Sequence, residues 1–365
     1  MDARSLPRYR WPFKSVLTGG CANDVIALAS RGAINMTTSS TKIAGKITGW
    51  NRASAISGAI LWLLLLLPLS EWLELPVESS GETWLIERLL SLSILAFTPL
   101  TLRLTANQNG QHPLSWRAAV LIQPFAALLV VVSFYTRTGL TAGMLTLPWS
   151  LVTVLIALFG FARLRRRHSL APIEELCIDA GLAYVTVGGG WLVLSRCGLN
   201  PLGFSDSIVL LTATHFHYAG FAAPVLTGFA GRKINEVRPS LKKFFRVAAA
   251  GVVAGAPMVA VGITFSRAIE MFSVFAFAAS LLLLALLILF AIVPALKNRG
   301  AQLLLIISAN AVIVTMIFAC VYAIGRYAGI TTVTIPQMAQ VHGLSNALGF
   351  VLCGLLAWMI EFRKR

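Results

Sequence analysis

The sequence predicts an all-α protein, a polytopic helical bundle that crosses a lipid bilayer about ten times with both ends in the cytoplasm. Three observations carry that prediction. Hydrophobic residues make up 57% of the chain and charged residues 12%, too few charges to clothe a water-soluble globule of this length. The apolar residues gather in long runs, each close to the roughly 20 residues a helix needs to cross a hydrocarbon core. The basic residues fall between the runs, and mostly on alternate sides of them.

The runs lie near 54–75, 84–105, 114–135, 139–162, 171–196, 206–230, 244–265, 271–296, 301–325 and 338–360. Lipid offers a backbone no hydrogen-bond partners, so such segments span as helices. Pro124, Pro148, Pro224 and Pro257 interrupt the runs, and kinks are expected there. Of the 30 Lys and Arg residues, 25 fall on the side of the N-terminal leader, and only Arg88, Arg137, Arg196, Arg267 and Arg326 fall opposite. The alternation holds at every crossing, and an even number of spans then places both ends inside. The net charge of +16 therefore reports topology. Nucleic-acid binding would need the basic residues on one water-facing surface, and the partner implied here is the bilayer.

Residues 1–52 are rich in Ser, Thr, Gly and basic side chains without a helical or strand period, and are expected to be a disordered cytoplasmic leader. Residues 53–365 form the transmembrane domain. Its first apolar run begins too late for a cleavable signal peptide and is expected to remain as an anchor. The five cysteines show neither CxxC nor zinc-ligand spacing and read as small core residues. Deep polar residues concentrate in spans five to ten, about 171–360, the expected functional half.

The fifth span opens Ala-Pro-Ile-Glu-Glu-Leu-Cys-Ile-Asp-Ala-Gly. Glu175, Asp179 and Thr186 share one face by spacing, with Asp179 roughly 10 Å into the span. A carboxylate at that depth costs about 2.5 kcal/mol or more without a partner. It is expected to face the bundle interior, toward the sixth or tenth span. Glu174 and Glu175 also have a purely structural reading, because a helix dipole favours carboxylates in its first turn, here beside Arg165 to Arg167.

The sixth span contains Thr-His-Phe-His-Tyr-Ala-Gly-Phe, which places His215 and His217 near the midplane, followed by Tyr218. On a regular helix residues i and i+2 point about 200° apart, so the two imidazoles must meet different neighbours and cannot share one ion. Small residues flank both faces, which suits either close helix packing or a flat cofactor. The tenth span adds His342 and Asn346 one turn apart. Asn310, in the ninth, is placed to hydrogen-bond across helices. A continuous helix is expected through the His-Phe-His motif.

The stretches Pro172–Gly181, Thr214–Phe221 and His342–Phe350 together resemble the YndJ-like family of bacterial membrane proteins. The resemblance implies a multi-span protein of the bacterial cytoplasmic membrane and carries no reaction with it. More locally, His215-Phe-His-Tyr218 is similar to the tetrapeptide of haem–copper oxidase catalytic subunits, whose two histidines ligate different haems on opposite faces of one helix. The chain lacks that family's His-Pro-Glu-Val-Tyr, its His-His pair and enough histidines for a copper centre, so oxygen reduction is not implied. Two functional readings follow. In the first, His215, His217 and His342 bind haem, a metal ion or a quinone in a redox or sensing role. In the second, Asp179 and the histidines line a proton or substrate path of a transporter. A non-enzymatic scaffold is the third.

Overall fold

In a computed structural model the described residues are 45, 47, 49–67, 81–106 and 112–362. The expected disordered leader falls almost wholly outside them, as do residues 68–75 of the first expected run. Every described secondary-structure element is helical. Among the described residues nine helices are long and apolar enough to cross a membrane: α2 Thr83–Thr105, α3 Leu114–Phe134, α4 Leu140–Arg167, α5 Ile173–Cys197, α6 Asp206–Val237, α7 Pro239–Phe265, α8 Arg267–Ala295, α9 Arg299–Ala328 and α10 Ile335–Phe362. Before them, helix α1 runs over 49–64. Nine of the ten expected runs thus coincide with helices of spanning length, and the described part of the first, 54–67, is helical to residue 64.

The helices overrun the apolar runs at their basic ends. α4 continues through Arg163 to Arg167, and α6 through Arg232 and Lys233 to Val237. Hydropathy stops at the first charges, whereas the i→i−4 backbone ladder does not. At 1.5 Å per residue, α6 is about 48 Å long and projects beyond a hydrocarbon core of about 30 Å.

Consecutive spans pack as antiparallel neighbours, α4 on α5, α7 on α8, α8 on α9 and α9 on α10. Glycines let α5 and α6 approach closely, since a Cβ on Gly181 would lie 2.7 Å from the Phe221 carbonyl and one on Gly228 2.5 Å from that of Glu174. The most enclosed span is α2, with 89% of its apolar window buried. It is pinned on several sides: Trp62 Nε1 of α1 donates to the Arg88 carbonyl at 2.7 Å, and Gln123 Nε2 of α3 to that of Ile94 at 2.9 Å. Its inner face meets α6 and α10.

Three spans widen into a π-helical turn one residue before a proline. Ser93–Phe97 is followed by Thr98-Pro99, Phe216–Ala222 by Ala223-Pro224, and Ile288–Ile292 by Val293-Pro294. In each case the residue before the proline donates its N–H five residues back, to Ser93, Tyr218 and Ile288 respectively. A proline lacks an N–H and its ring clashes with the carbonyl four residues earlier. A widened turn moves that carbonyl aside. At Pro224 the helix stays continuous through the His-Phe-His motif, as expected, but its regular α-helical geometry ends at His215. Pro124, Pro148 and Pro257, by contrast, lie inside α-helix. α10 carries two further π segments, Met338–Gly343 and Ser345–Leu352.

The charge alternation sets a testable orientation. Alkaline phosphatase fused after Arg326 should be active and fused after Lys243 silent; activity at both sites would refute the ten-span arrangement with both ends inside.

Candidate functional site

The histidines separate into two environments. His217 is fully buried. Its Nδ1–H donates to the Ala213 carbonyl at 2.8 Å, and its Nε2 accepts the indole N–H of Trp149 at 3.1 Å. The two rings stack with centroids 5.9 Å apart. On the α5 side the ring lies so close to Gly188 that a Cβ there would come within 2.6 Å of Nδ1. Both ring nitrogens are satisfied, and His217 joins α6 to α4 and α5.

His215 faces the other way. Its Nδ1–H donates to the Leu211 carbonyl of its own helix at 3.1 Å. Its side chain is exposed, whereas His217 is buried. His342 of α10 stands near enough for the two imidazoles to interact electrostatically. Its Nδ1–H donates to the Thr315 carbonyl of α9 at 2.9 Å. In both rings the Nδ1 bond fixes the tautomer and leaves Nε2 with a lone pair. Neither Nε2 meets a partner among the described residues.

Widened turns meet beside these histidines. Tyr218 donates its hydroxyl to the Leu89 carbonyl of α2 at 2.7 Å and meets Phe97 edge-to-face at 5.8 Å. The π segments of α2, α6 and α10 pack on one another there, and such segments recur at functional sites. Asn346 completes a hydrogen-bond ring behind His342. It accepts from Thr315 Oγ1 at 3.1 Å and donates to the His342 carbonyl at 2.9 Å.

The carboxylates do not join this site. Asp179 is buried, but it faces α4 rather than α6 or α10, with Arg163 Nε at 2.7 Å and Arg167 Nη2 at 2.5 Å. Glu175 is held by Arg163 at 2.7 Å and by Arg232 through two contacts of 2.6 and 2.8 Å. Glu174 bonds the Asn235 side chain, and Lys233 meets Glu361 at 2.9 Å. The result is a charge lattice tying the basic ends of α4, α5, α6 and α10. The apolar run of the fourth span ends at 162, before the arginines. Because α4 remains helical to Arg167, its guanidiniums run down beside the carboxylate. Asn310 also departs from expectation: it is exposed, and bonds the Ile306 carbonyl of its own helix at 2.8 Å.

Sequence reasoning missed Trp149, Thr315 and the α2 contributors Leu89 and Phe97. Two of these act through backbone carbonyls, which carry no side-chain signal, and α2 reads as ordinary apolar sequence. Two imidazoles remain near span ends, His112 and His168, the latter capping α4; His112 tilts over Trp116 with centroids 3.9 Å apart. Burial, and then the neighbouring Arg117, hold its pKa below the ordinary imidazole value.

The sequence profile described as YndJ-like protein matches residues 88–350, a stretch that takes in α2 through most of α10 and every residue of the histidine site. The chain belongs to the YndJ-like family. It is 32% identical over 280 residues to a protein of Bacillus subtilis (strain 168) described as the uncharacterized membrane protein YndJ, an alignment covering 76% of this chain and 49% of that one. The chain therefore spans about half the length of that relative. No solved structure matches it. Membership of the YndJ-like family and nine spanning helices make this a multi-pass membrane protein.

Proposed function

We propose that this protein of the bacterial cytoplasmic membrane holds an iron porphyrin between Nε2 of His215 and Nε2 of His342, in a redox or sensing role. The observation that carries the reading is the matched state of the two rings. Each gives its Nδ1–H to a backbone carbonyl and keeps an Nε2 lone pair, and the two rings are near enough to interact, the arrangement that orients metal-binding imidazoles. Among the described residues no three of His, Cys, Asp and Glu gather into a metal-ligand group. Two protein donors suffice for a metal that brings its own equatorial ligands, as a porphyrin iron does, and fall short of a closed zinc site. When bound, such a group supplies one-electron chemistry or a coordination position.

A quinone is less well served. Its carbonyls need donors, whereas both rings present acceptors, so only the hydroquinone form would fit. The transporter reading loses its carboxylate, since Asp179 is neutralised by two arginines.

The test is the absorption spectrum and iron content of the full-length chain purified from membranes. A Soret band with stoichiometric iron, abolished in the double variant His215→Ala/His342→Ala while membrane insertion persists, is the expected result. A colourless, iron-free preparation from haem-replete cells would overturn the reading.

A further inference from the structure

Glu361, at the far end of α10, belongs to the charge lattice; at the opposite end of the bundle the connector between α9 and α10 folds back over the last turns of α9. Gly329 closes α9 in the left-handed region at φ 71°, and the Ile330 N–H returns to the Gly325 carbonyl at 2.9 Å. Thr332 Oγ1 donates to the Val321 carbonyl at 3.0 Å. Thr334 then caps α10, exchanging hydrogen bonds with Gln337. The connector is thus fastened at both ends and in the middle, and with α9 it borders an open cavity of about 290 Å³.

The lining of this cavity divides by chemistry. Arg326 is the one charged residue in the wall, and Tyr322, one turn earlier, shares its face of α9. Thr331 adds a hydroxyl, while Ile330, Val333 and Ile335 supply an apolar side. Arg326 meets one carboxylate, with Nη2 at 3.4 Å from Glu270 Oε2 of α8. Glu270 is buried and stands outside the wall. Among the described residues no acceptor takes the other guanidinium N–H groups, the Tyr322 hydroxyl or the Thr331 hydroxyl.

We infer that this cavity seats a small monocarboxylate from the aqueous phase, its oxygens on Arg326 and Tyr322 and its short hydrocarbon body against Ile330, Val333 and Ile335. The paired N–H groups of a guanidinium match the two oxygens of a carboxylate. Glu270 already offsets much of the cation, so a dianion would be left uncompensated. The volume lies at the lower end for ligand pockets, about 300–1,000 Å³, which suits a body of a few carbons. The seat shares no residue with the histidine pair and needs no haem.

The test is isothermal titration of the full-length chain in detergent with isovalerate. Saturable binding is expected, weakened about ten-fold or more in Arg326→Gln, as for loss of a hydrogen bond to a charged group, and absent with isovaleramide, which keeps the shape and lacks the charge. Glu270→Gln should bind isovalerate more tightly than the unsubstituted chain, because the guanidinium loses its competing carboxylate. A purely structural ion pair would give no such gain. Tyr322→Phe leaves the ion pair intact and should weaken binding several-fold at an unchanged melting temperature, which keeps the test decisive even if Arg326→Gln unfolds. An unsubstituted chain that does not bind isovalerate, equal affinity in folded Arg326→Gln or in Tyr322→Phe, or equal binding of the amide would overturn the inference. So would binding in detergent that vanishes in phosphatidylglycerol nanodiscs, since a lipid phosphate would then hold the seat.

Discussion

Replacing Asp179 by alanine is expected to lower the stability of the folded bundle by about 3–5 kcal/mol, the range for removing one partner of a buried ion pair. The carboxylate is 4% exposed, and its partners Arg163 and Arg167 are 12% and 20% exposed. Without it, two guanidiniums that meet in a region largely shut off from water lose their shared counter-charge. Arg163 keeps Glu175 at 2.7 Å, so the larger share of the loss falls on Arg167, whose Nε has no hydrogen bond. The measurement is unfolding in detergent, with Arg167→Ala and the double variant completing a cycle. If the double variant is as damaged as the sum of the two singles, the pair is not coupled and this account fails. Asp179→Asn should be milder, since its amide oxygen can still accept from Arg163 Nε.

The second large effect concerns His217. His217→Leu should cost about 2–4 kcal/mol, because the Trp149 indole N–H is left buried without an acceptor and the packing against Gly188 changes shape. Adding Trp149→Phe removes the stranded donor, so the pair His217→Leu/Trp149→Phe should be more stable than His217→Leu alone. Haem retention, by contrast, should follow His215 and His342 and be unaffected by the paired substitution. A double variant less stable than His217→Leu would show that the indole bond contributes nothing.

The fold was legible because lipid imposes a simple rule: a long apolar run must satisfy its own backbone, and nine of the ten runs coincide with helices of spanning length. The widened turns at Pro99, Pro224 and Pro294 were not legible. Pro124, Pro148 and Pro257 carry the same local signal and stay α-helical, so the choice depends on neighbours. Half-turn reasoning separated His215 from His217 and gave them different neighbours, but could not say which would meet His342. The carboxylates were misdirected by one assumption, that a cluster of arginines marks the end of a helix. Once α4 is allowed to run to Arg167, the partners of Asp179 follow from antiparallel packing of α4 on α5.

The central position of α2 bears on how the protein is made. α2 leaves the ribosome well before its partners, with Glu87 and Arg88 in its first turns, since the helices that meet its inner face are α6 and α10, and seven further helices separate α2 from α10. For most of translation that face must rest against lipid, the insertion machinery or a temporary neighbour. Biogenesis therefore closes late: the interval between insertion of α2 and arrival of α10 is when the nascent chain is most open to membrane proteases. Chains stopped after α5 should be cleared rapidly, while chains that reach α10 persist.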